Sequence, residues 1–420
     1  MSITANTQKG AVARTPLRRR IFFAVGPGDA VAAYEHWRMG VRMPSETALT
    51  FSGQTLDFCR DHGCAAMLVS WCERATQVSD GLFVIENRPK SSRRLGYFLR
   101  EAAYAFSLAI SAWRYGAETA VIDSGSSEWF MLWPFKFFGI TVVPNFHNTY
   151  HPECYPPKRW SRRAIAMMDR SFFRRVTRVA LGVSPACARQ YLRMAGPEHR
   201  AVEYRAQFVQ SDFVETDVPN RFAIDDANMP FNILYVGRIE RTKGVFDLLD
   251  IAQQLRADGR RAFQIDVCGD GSELPALRSA VADRNLSDLV KLHGRLDRVD
   301  LMPAYRRSHL VIVPTRSDFC EGMNLVCVEA VLHGRPVVTS RVVPALELLG
   351  DAAVEADTDK PSSYAHRIST LMLDLGEYRR RVAACNAAGL PFFDRSFGLA
   401  RALQKVFART DEQEIERDSR

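Results

Sequence analysis

The sequence predicts a two-domain α/β protein with parallel sheets, and three observations carry that prediction. At 420 residues the chain exceeds one ordinary core and divides naturally into two units of roughly 200 residues each. Short β-branched runs alternate with helical patterns along both halves, the mark of parallel strands joined by crossover helices. Between Gln207 and Pro230 the segments VETDVPN and DDANMP carry turn and acidic residues without periodicity, which places the interdomain connection there.

The first half opens on MSITANTQKGAVARTPLRRR, basic but without an apolar core or cleavage pattern, which reads as a disordered tail over 1–19. Arg20 to Val25 forms a first strand that delivers Gly26, Pro27, Gly28 and Asp29 to a turn. Such a turn lets backbone approach a ligand closely, or simply reverses the chain, and both readings stay open. Ser45, Glu46 and Thr47 are expected to cap a helix through Leu56 and Cys59, with a strand at Ala65 to Ser70 behind it. A long amphipathic helix at 94–115 precedes a strand at Thr119 to Asp123, and a second helix at Trp129 to Phe138 precedes a strand at Ile140 to Asn145.

That last strand empties into Phe146-His-Asn-Thr-Tyr-His151. Ligands of open α/β sheets gather beyond the carboxyl ends of strands, so His147 and His151 are candidates for a base or an acceptor contact. Lys158 to Arg175 sets Trp160, Ile165, Met168, Phe172 and Phe173 among seven basic residues. The segment suits either a basic amphipathic helix on anionic lipid or an ordinary helix whose apolar stripe packs on the sheet. A strand at Val179 to Val183 then leads to Ser184 and Pro185, an N-cap and a first-turn proline.

The second half restarts at strand Phe231 to Val236, followed by Gly237-Arg-Ile-Glu-Arg-Thr-Lys-Gly244. Arg238 and Lys243 flank a turn into a helix and offer two cations to phosphate. Strand Phe263 to Cys268 leads to Gly269, Asp270 and Gly271, with Leu274 where a dinucleotide fingerprint needs a third glycine. The stretch SDFCEGMNLVCVEAVLHGRPVVTS, 317–340, holds Glu321 in a loop and Glu329 in a short helix. Seven residues separate them, so they lie at most about 12 Å apart, the reach of a nucleotide sugar. Between them the backbone NH groups of Met323, Asn324 and Leu325 open the helix with unpaired donors, which suits a pyrophosphate. Ser396 to Phe407 reads as a final helix.

Charge is divided unevenly. Residues 1–210 hold 28 Lys and Arg against 16 Asp and Glu, hence +12, whereas 211–420 hold 28 against 32, hence −4. The basic half calls for an acidic partner or surface. Zinc-finger, helix-turn-helix and RRM signatures are missing, so nucleic acid is set aside in favour of a membrane surface or an anionic acceptor. Nine cysteines lie singly with no CxxC pair, as expected of reduced thiols in the cytoplasm. The longest apolar runs are too short to span a bilayer, so membrane attachment is expected to be peripheral, on the inner face.

The EG step after an acidic turn, with E-A-x-x-x-G-x-P-V-V behind it, resembles the Glu-x7-Glu motif of the retaining glycosyltransferases of family 4. Gly237 to Gly244 resembles the G-R-x-x-x-x-K-G motif of the same enzymes. The resemblance implies the GT-B fold, two Rossmann-like parallel-sheet domains facing a central cleft with a C-terminal helix crossing back to the first. The expected divisions are an acceptor-side domain at 20–206, a connection at 207–230, a nucleotide-sugar domain at 231–394, and a crossover helix and tail at 395–420. It also implies that Glu321 contacts the transferred sugar, Glu329 the ribose, and Arg238 and Lys243 the diphosphate. Gly269, Asp270, Gly271, Arg295 and Leu296 would lie near the nucleotide, and His147 near the acceptor, with Gly26, Gly28 and His151 on the same side. Asn324 stands where relatives often carry Gly, and Val342 to Glu347 lacks the glycines of their usual Gly-Gly-x-Pro-Glu loop.

The expected activity is transfer of a sugar from a nucleoside diphosphate sugar to a hydroxyl of a glycan or lipid-linked acceptor. No metal or other cofactor is called for, since Arg238, Lys243 and the helix amino end can carry leaving-group charge and no Asp-x-Asp triplet occurs. A nucleotide-sugar epimerase and a non-catalytic assembly protein of the same fold are the alternatives.

Overall fold

The computed structural model describes residues 19–43, 46–90, 96–213, 229–259 and 262–418, with side chains as far as Ala408. Fourteen strands among them form two sheets. The first takes β1 (Arg20–Pro27), β2 (Ala65–Trp71), β3 (Thr76–Ser79), β4 (Phe83–Arg88), β5 (Thr119–Asp123), β6 (Thr141–Phe146), β7 (Val179–Gly182) and β8 (Arg200–Glu203). Its spatial order is β3-β4-β2-β1-β5-β6-β7-β8. The second takes β9 (Phe231–Val236), β10 (Phe263–Cys268), β11 (Val290–Gly294), β12 (Leu310–Val313), β13 (Val337–Thr339) and β14 (Ala353–Glu355), in the order β11-β10-β9-β12-β13-β14.

The pairing is parallel throughout except where β3 runs antiparallel to β4 at one edge. Continuous apolar runs such as Leu-Val-Ile-Val in β12 are buried on both faces, as parallel strands under two helical layers must be. In each sheet the first strand sits inside the order, with the chain winding outward on both sides of it. The loops that leave β1, β5 and β6, and those that leave β9 and β12, therefore meet at the two switch points, where α/β sheets bind ligands.

Several elements differ from the sequence reading. The edge hairpin β3–β4 has no counterpart in it: β3 is a four-residue edge strand with no buried residue, and the Phe-Val-Ile run that opens β4 is followed directly by polar residues. The helix expected to be capped from Ser45 to Thr47 spans Phe51–Asp61, and its cap is Thr50, whose hydroxyl accepts from Gly53 N at 3.1 Å. Ser45 itself lies outside the described residues, as do the tail 1–18 and residues 214–228 of the expected connection. The segment Trp129 to Phe138 is a 3-10 turn and a five-residue helix, broken by Pro134. In the helix Trp160–Val176 only Phe172 and Phe173 of the expected apolar stripe are buried, and Trp160 is 82% exposed.

The two lobes are joined through the final helix and through shared apolar packing. The final helix, Leu399–Asp418, crosses back to the first lobe, where Phe407 stacks on Phe58 at 5.6 Å and Leu399 N donates to Gln54 Oε1 at 2.9 Å. Apolar packing continues from the first sheet to Met323 and Cys327 of the second lobe, all in one buried cluster.

Candidate active site

On the second lobe, β9 ends in Gly237 and its following turn carries both expected cations. Lys243 Nζ donates to Glu321 Oε1 at 2.6 Å and sits 3.9 Å from the centre of the Phe319 ring. The Arg238 guanidinium lies 5.5 Å from the same ring and pairs with Glu240 at 2.8 Å. One aromatic ring thus supports both cations. Arg238, Gly269, Asp270, Gly271, Arg295 and Leu296, all expected near the nucleotide, line a single cavity of about 400 Å3. A Cβ on Gly269 would lie 1.8 Å from the Gly237 carbonyl oxygen. Glycine is required there for two loop backbones to touch.

Glu321 is almost fully buried, and its Oε1 also accepts from Thr315 Oγ1 at 2.8 Å and Asn324 Nδ2 at 3.1 Å. Asn324 precedes the helix Leu325–Leu332 with φ of +64°, a left-handed conformation that asparagine adopts more readily than most residues. Met323 is buried and Leu325 half-buried, so this helix start is anchored by packing.

Glu329 is only 5% exposed and gives one oxygen to each lobe. Its Oε2 accepts from Tyr305 Oη at 2.6 Å, and its Oε1 accepts from the Thr47 hydroxyl of the first lobe. Burial raises the Glu329 carboxyl pKa, while the two hydroxyl donors pull it down. His333 lies flat on the Tyr305 ring at 4.8 Å and 7°, with Nδ1 on the Glu329 carbonyl at 2.8 Å.

The first lobe meets Glu321 through backbone. Thr149 N donates to Glu321 O at 2.9 Å, and a Cβ on Gly322 would lie 1.8 Å from the His147 carbonyl oxygen. The EG step of the sequence therefore serves two ends, the glutamate for the site and the glycine for close approach of the lobes. The His147 ring is held on every side: Nε2 is 2.9 Å from Asp123 Oδ2, Nδ1 is 3.2 Å from Tyr204 Oη, and the Phe51 ring lies 4.7 Å away.

A second cavity, of about 480 Å3, opens beside the Glu321 loop and is lined from both lobes. His151, Asn148 and Thr149 contribute from the first lobe, Asp318 and Cys320 from the second. His147 is not among its lining residues, nor are Gly26 and Gly28. Those two glycines are drawn to the scaffold, Gly26 N donating to Ser126 Oγ at 3.1 Å and Gly28 N to Trp71 O at 3.0 Å. The structure thus sets Lys243 beside Glu321 and Arg238 beside the Gly269–Gly271 loop, and it places His151, but not His147, Gly26 or Gly28, on the lining of the second cavity.

Comparison with known proteins bears on the fold and the class of activity. A family profile described as "Glycosyl transferases group 1" matches residues 219–386, the part that carries the two cations and both glutamates. The chain is a GT-B glycosyltransferase. This glycosyltransferase is 25% identical over 281 residues to the alpha-D-kanosaminyltransferase of Streptomyces kanamyceticus, spanning 64% of this chain and 70% of that one. It is 32% identical over 190 residues to the D-inositol 3-phosphate glycosyltransferase of Frankia alni, which covers 42% of this chain and 46% of the relative. In fold it is similar to the sucrose-phosphate synthase of Thermosynechococcus elongatus, with a TM-score of 0.68 at 17% identity over 95% of this chain and all of that one. It is also similar to Anabaena HepE in complex with UDP, with a TM-score of 0.62 at 15% identity over 94% of this chain and all of that one.

Sequence reasoning missed Thr47, Tyr305 and Thr149. A threonine in an irregular stretch carries no signal of its own, and Tyr305 reads as core. Each acquires its place only when a residue distant in sequence folds against it.

Proposed function

We propose that this glycosyltransferase moves a sugar from a nucleoside diphosphate sugar to a hydroxyl acceptor, with retention of configuration, as a family 4 type enzyme. The observation that carries the reading is the convergence of Lys243 on Glu321, beside a cavity lined by Arg238 and the Gly269–Gly271 loop. Two cations and the amino end of the helix Leu325–Leu332 suit a diphosphate leaving group, so the chain's own groups can stabilise the departing charge without a metal. Glu321 would hold the transferred sugar and Glu329 the ribose. Three donors already converge on Glu321 Oε1. That favours attack by the acceptor on the same face as the leaving phosphate, assisted by it, over a covalent glycosyl-enzyme. The division proposed for the chain remains an acceptor domain at 20–206 and a donor domain at 231–394.

Release of nucleoside diphosphate tests this reading. Release that rises with an added hydroxyl acceptor and forms a glycoside supports transfer. Interconversion of the nucleotide sugar alone would support an epimerase instead, and a folded protein inert to every nucleotide sugar would leave assembly as its role.

A second reading concerns the cytoplasmic membrane face and a lipid-linked acceptor. No helix among the described residues is long and apolar enough to cross a membrane. Phe137 is 80% exposed and Trp160 82%, with Phe106 and Trp113 half exposed, and the helix Trp160–Val176 is rich in arginine. Exposed aromatics and an arginine-rich helix suit peripheral contact with anionic lipid. Flotation with anionic but not neutral vesicles, lost in Phe137→Ser with Trp160→Ser, supports it, and no partition into either overturns it.

A further inference from the structure

We propose that the cavity of about 480 Å3 is the acceptor subsite, that the Thr149 hydroxyl receives a hydroxyl of the acceptor there, and that the acceptor is a polyhydroxylated ring bearing an amine. This rests on the donor reading above and narrows it to a class of acceptor.

Thr149 supplies the first argument. It is 3% exposed, lines the cavity, and its Oγ1 has no hydrogen-bond partner in the protein. A buried hydroxyl left unpaired costs roughly 1–3 kcal/mol, so the fold gains nothing from it over valine. Its backbone NH is fixed on the Glu321 carbonyl at 2.9 Å, so the unpaired hydroxyl stands next to the loop that would hold the transferred sugar. A ligand hydroxyl poised for glycosylation is the partner that this position suits.

Charge supplies the second. The first lobe as a whole is strongly basic, yet the lining of this cavity is not. Lys90 is spent on Glu101, with its Nζ 2.8 and 2.7 Å from the two carboxylate oxygens. That leaves Glu128, Asp169 and Asp318 against Arg162, a net negative site. Glu128 is oriented by Tyr97 Oη at 2.9 Å, and Asp169 by Tyr150 Oη at 2.6 Å and Phe130 N at 2.8 Å, so both are held in place. A negative, partly enclosed cavity raises the local concentration of cations and repels phosphate. The Tyr97 and Tyr150 rings add faces on which an ammonium-bearing ring can rest. Much of the remaining basic charge lies along the helix Trp160–Val176 and its start, where Arg159, Arg163, Arg170 and Arg174 are exposed.

Saturation-transfer NMR titrations test the proposal, with glucosamine, glucose and glucose 6-phosphate added to the full chain saturated with whichever nucleoside diphosphate it binds. Glucosamine is expected to bind about tenfold more tightly than glucose, with glucose 6-phosphate weakest. Glu128→Gln should erase most of that advantage while leaving the diphosphate Kd unchanged. Thr149→Val should weaken glucosamine about tenfold with Tm unchanged or raised, an outcome that a merely structural hydroxyl would not give. Preference for glucose 6-phosphate, equal or no binding of the three sugars, or unaltered binding in Thr149→Val would overturn the proposal with the donor site intact. Failure of every nucleoside diphosphate to bind would instead overturn the donor reading on which it stands.

Discussion

Thr47 and Glu329, 282 residues apart, are joined by a hydrogen bond that closes one lobe of the protein onto the other. The carboxylate proposed to hold ribose thus also anchors the lobe opposite. A hydrogen bond to a charged group contributes about 1.5–3 kcal/mol. Nucleotide entry at Glu329 has to displace Thr47 or share the oxygen with it. Thr47→Val is expected to lower stability by that order while tightening binding of the nucleoside diphosphate several-fold. Urea denaturation and calorimetry measure the two effects, and weaker nucleotide binding in the variant would show that Thr47 assists the nucleotide rather than competing with it.

Gly322→Ala probes the approach of the lobes. Its new Cβ would fall 1.8 Å from the His147 carbonyl oxygen, so the His147 loop must retreat. Overpacking of this kind costs about 1–3 kcal/mol. Displacing an acceptor side by an ångström costs about 100-fold in rate. Transfer should collapse by that order while diphosphate binding survives in the second lobe. Unchanged turnover would mean that this contact has no part in the active geometry.

Lys243→Ala removes the cation that faces Glu321 at 2.6 Å. If it stabilises the leaving diphosphate as a preorganised donor does, kcat falls by about 100- to 1,000-fold, or 2.7–4 kcal/mol. Steady-state kinetics on the folded variant decide the matter. A change confined to KM would assign Lys243 to uniform binding.

His333 predicts a pH dependence of stability. Burial pushes its pKa down to about 4, with Arg306 and Arg335 adding to the shift and the Glu329 carbonyl opposing it. The unfolded chain therefore takes up the proton first as pH falls from about 6.5. Stability present above that value is lost toward pH 4, by about 2 kcal/mol at pH 5. His333→Phe keeps an aromatic ring on Tyr305 and should flatten this slope. Urea midpoints at pH 7 and pH 5 for both proteins measure it.

Much of the donor half was legible because its residues lie close together in sequence. Arg238 and Lys243 share one turn, and Glu321 and Glu329 one loop and helix, so spacing alone brought them near each other. The parallel order of strands was legible for the same reason, since each helix and strand carries its own periodicity. The antiparallel hairpin β3–β4 was not, because a four-residue edge strand with no buried side chain resembles loop and β4 has only a three-residue apolar run. Nor was the cleft. Thr149 looked like any loop threonine until Glu321 folded against its backbone, and the basic composition of residues 1–210 pointed to an anionic acceptor whereas the cavity itself is lined by an excess of carboxylates. His147 was placed correctly at a strand end, where Asp123, Tyr204 and Phe51 hold its ring, and it is not among the residues that line the cavity.

The most direct test of the donor site is calorimetric titration of UDP, GDP and ADP into the wild-type protein, Lys243→Ala and Glu329→Gln. The account predicts that one diphosphate binds the wild type selectively and that each substitution weakens it about tenfold or more, at least 1.4 kcal/mol. Flat titrations with all three on a folded wild-type protein, or equal affinity in both variants, would contradict it.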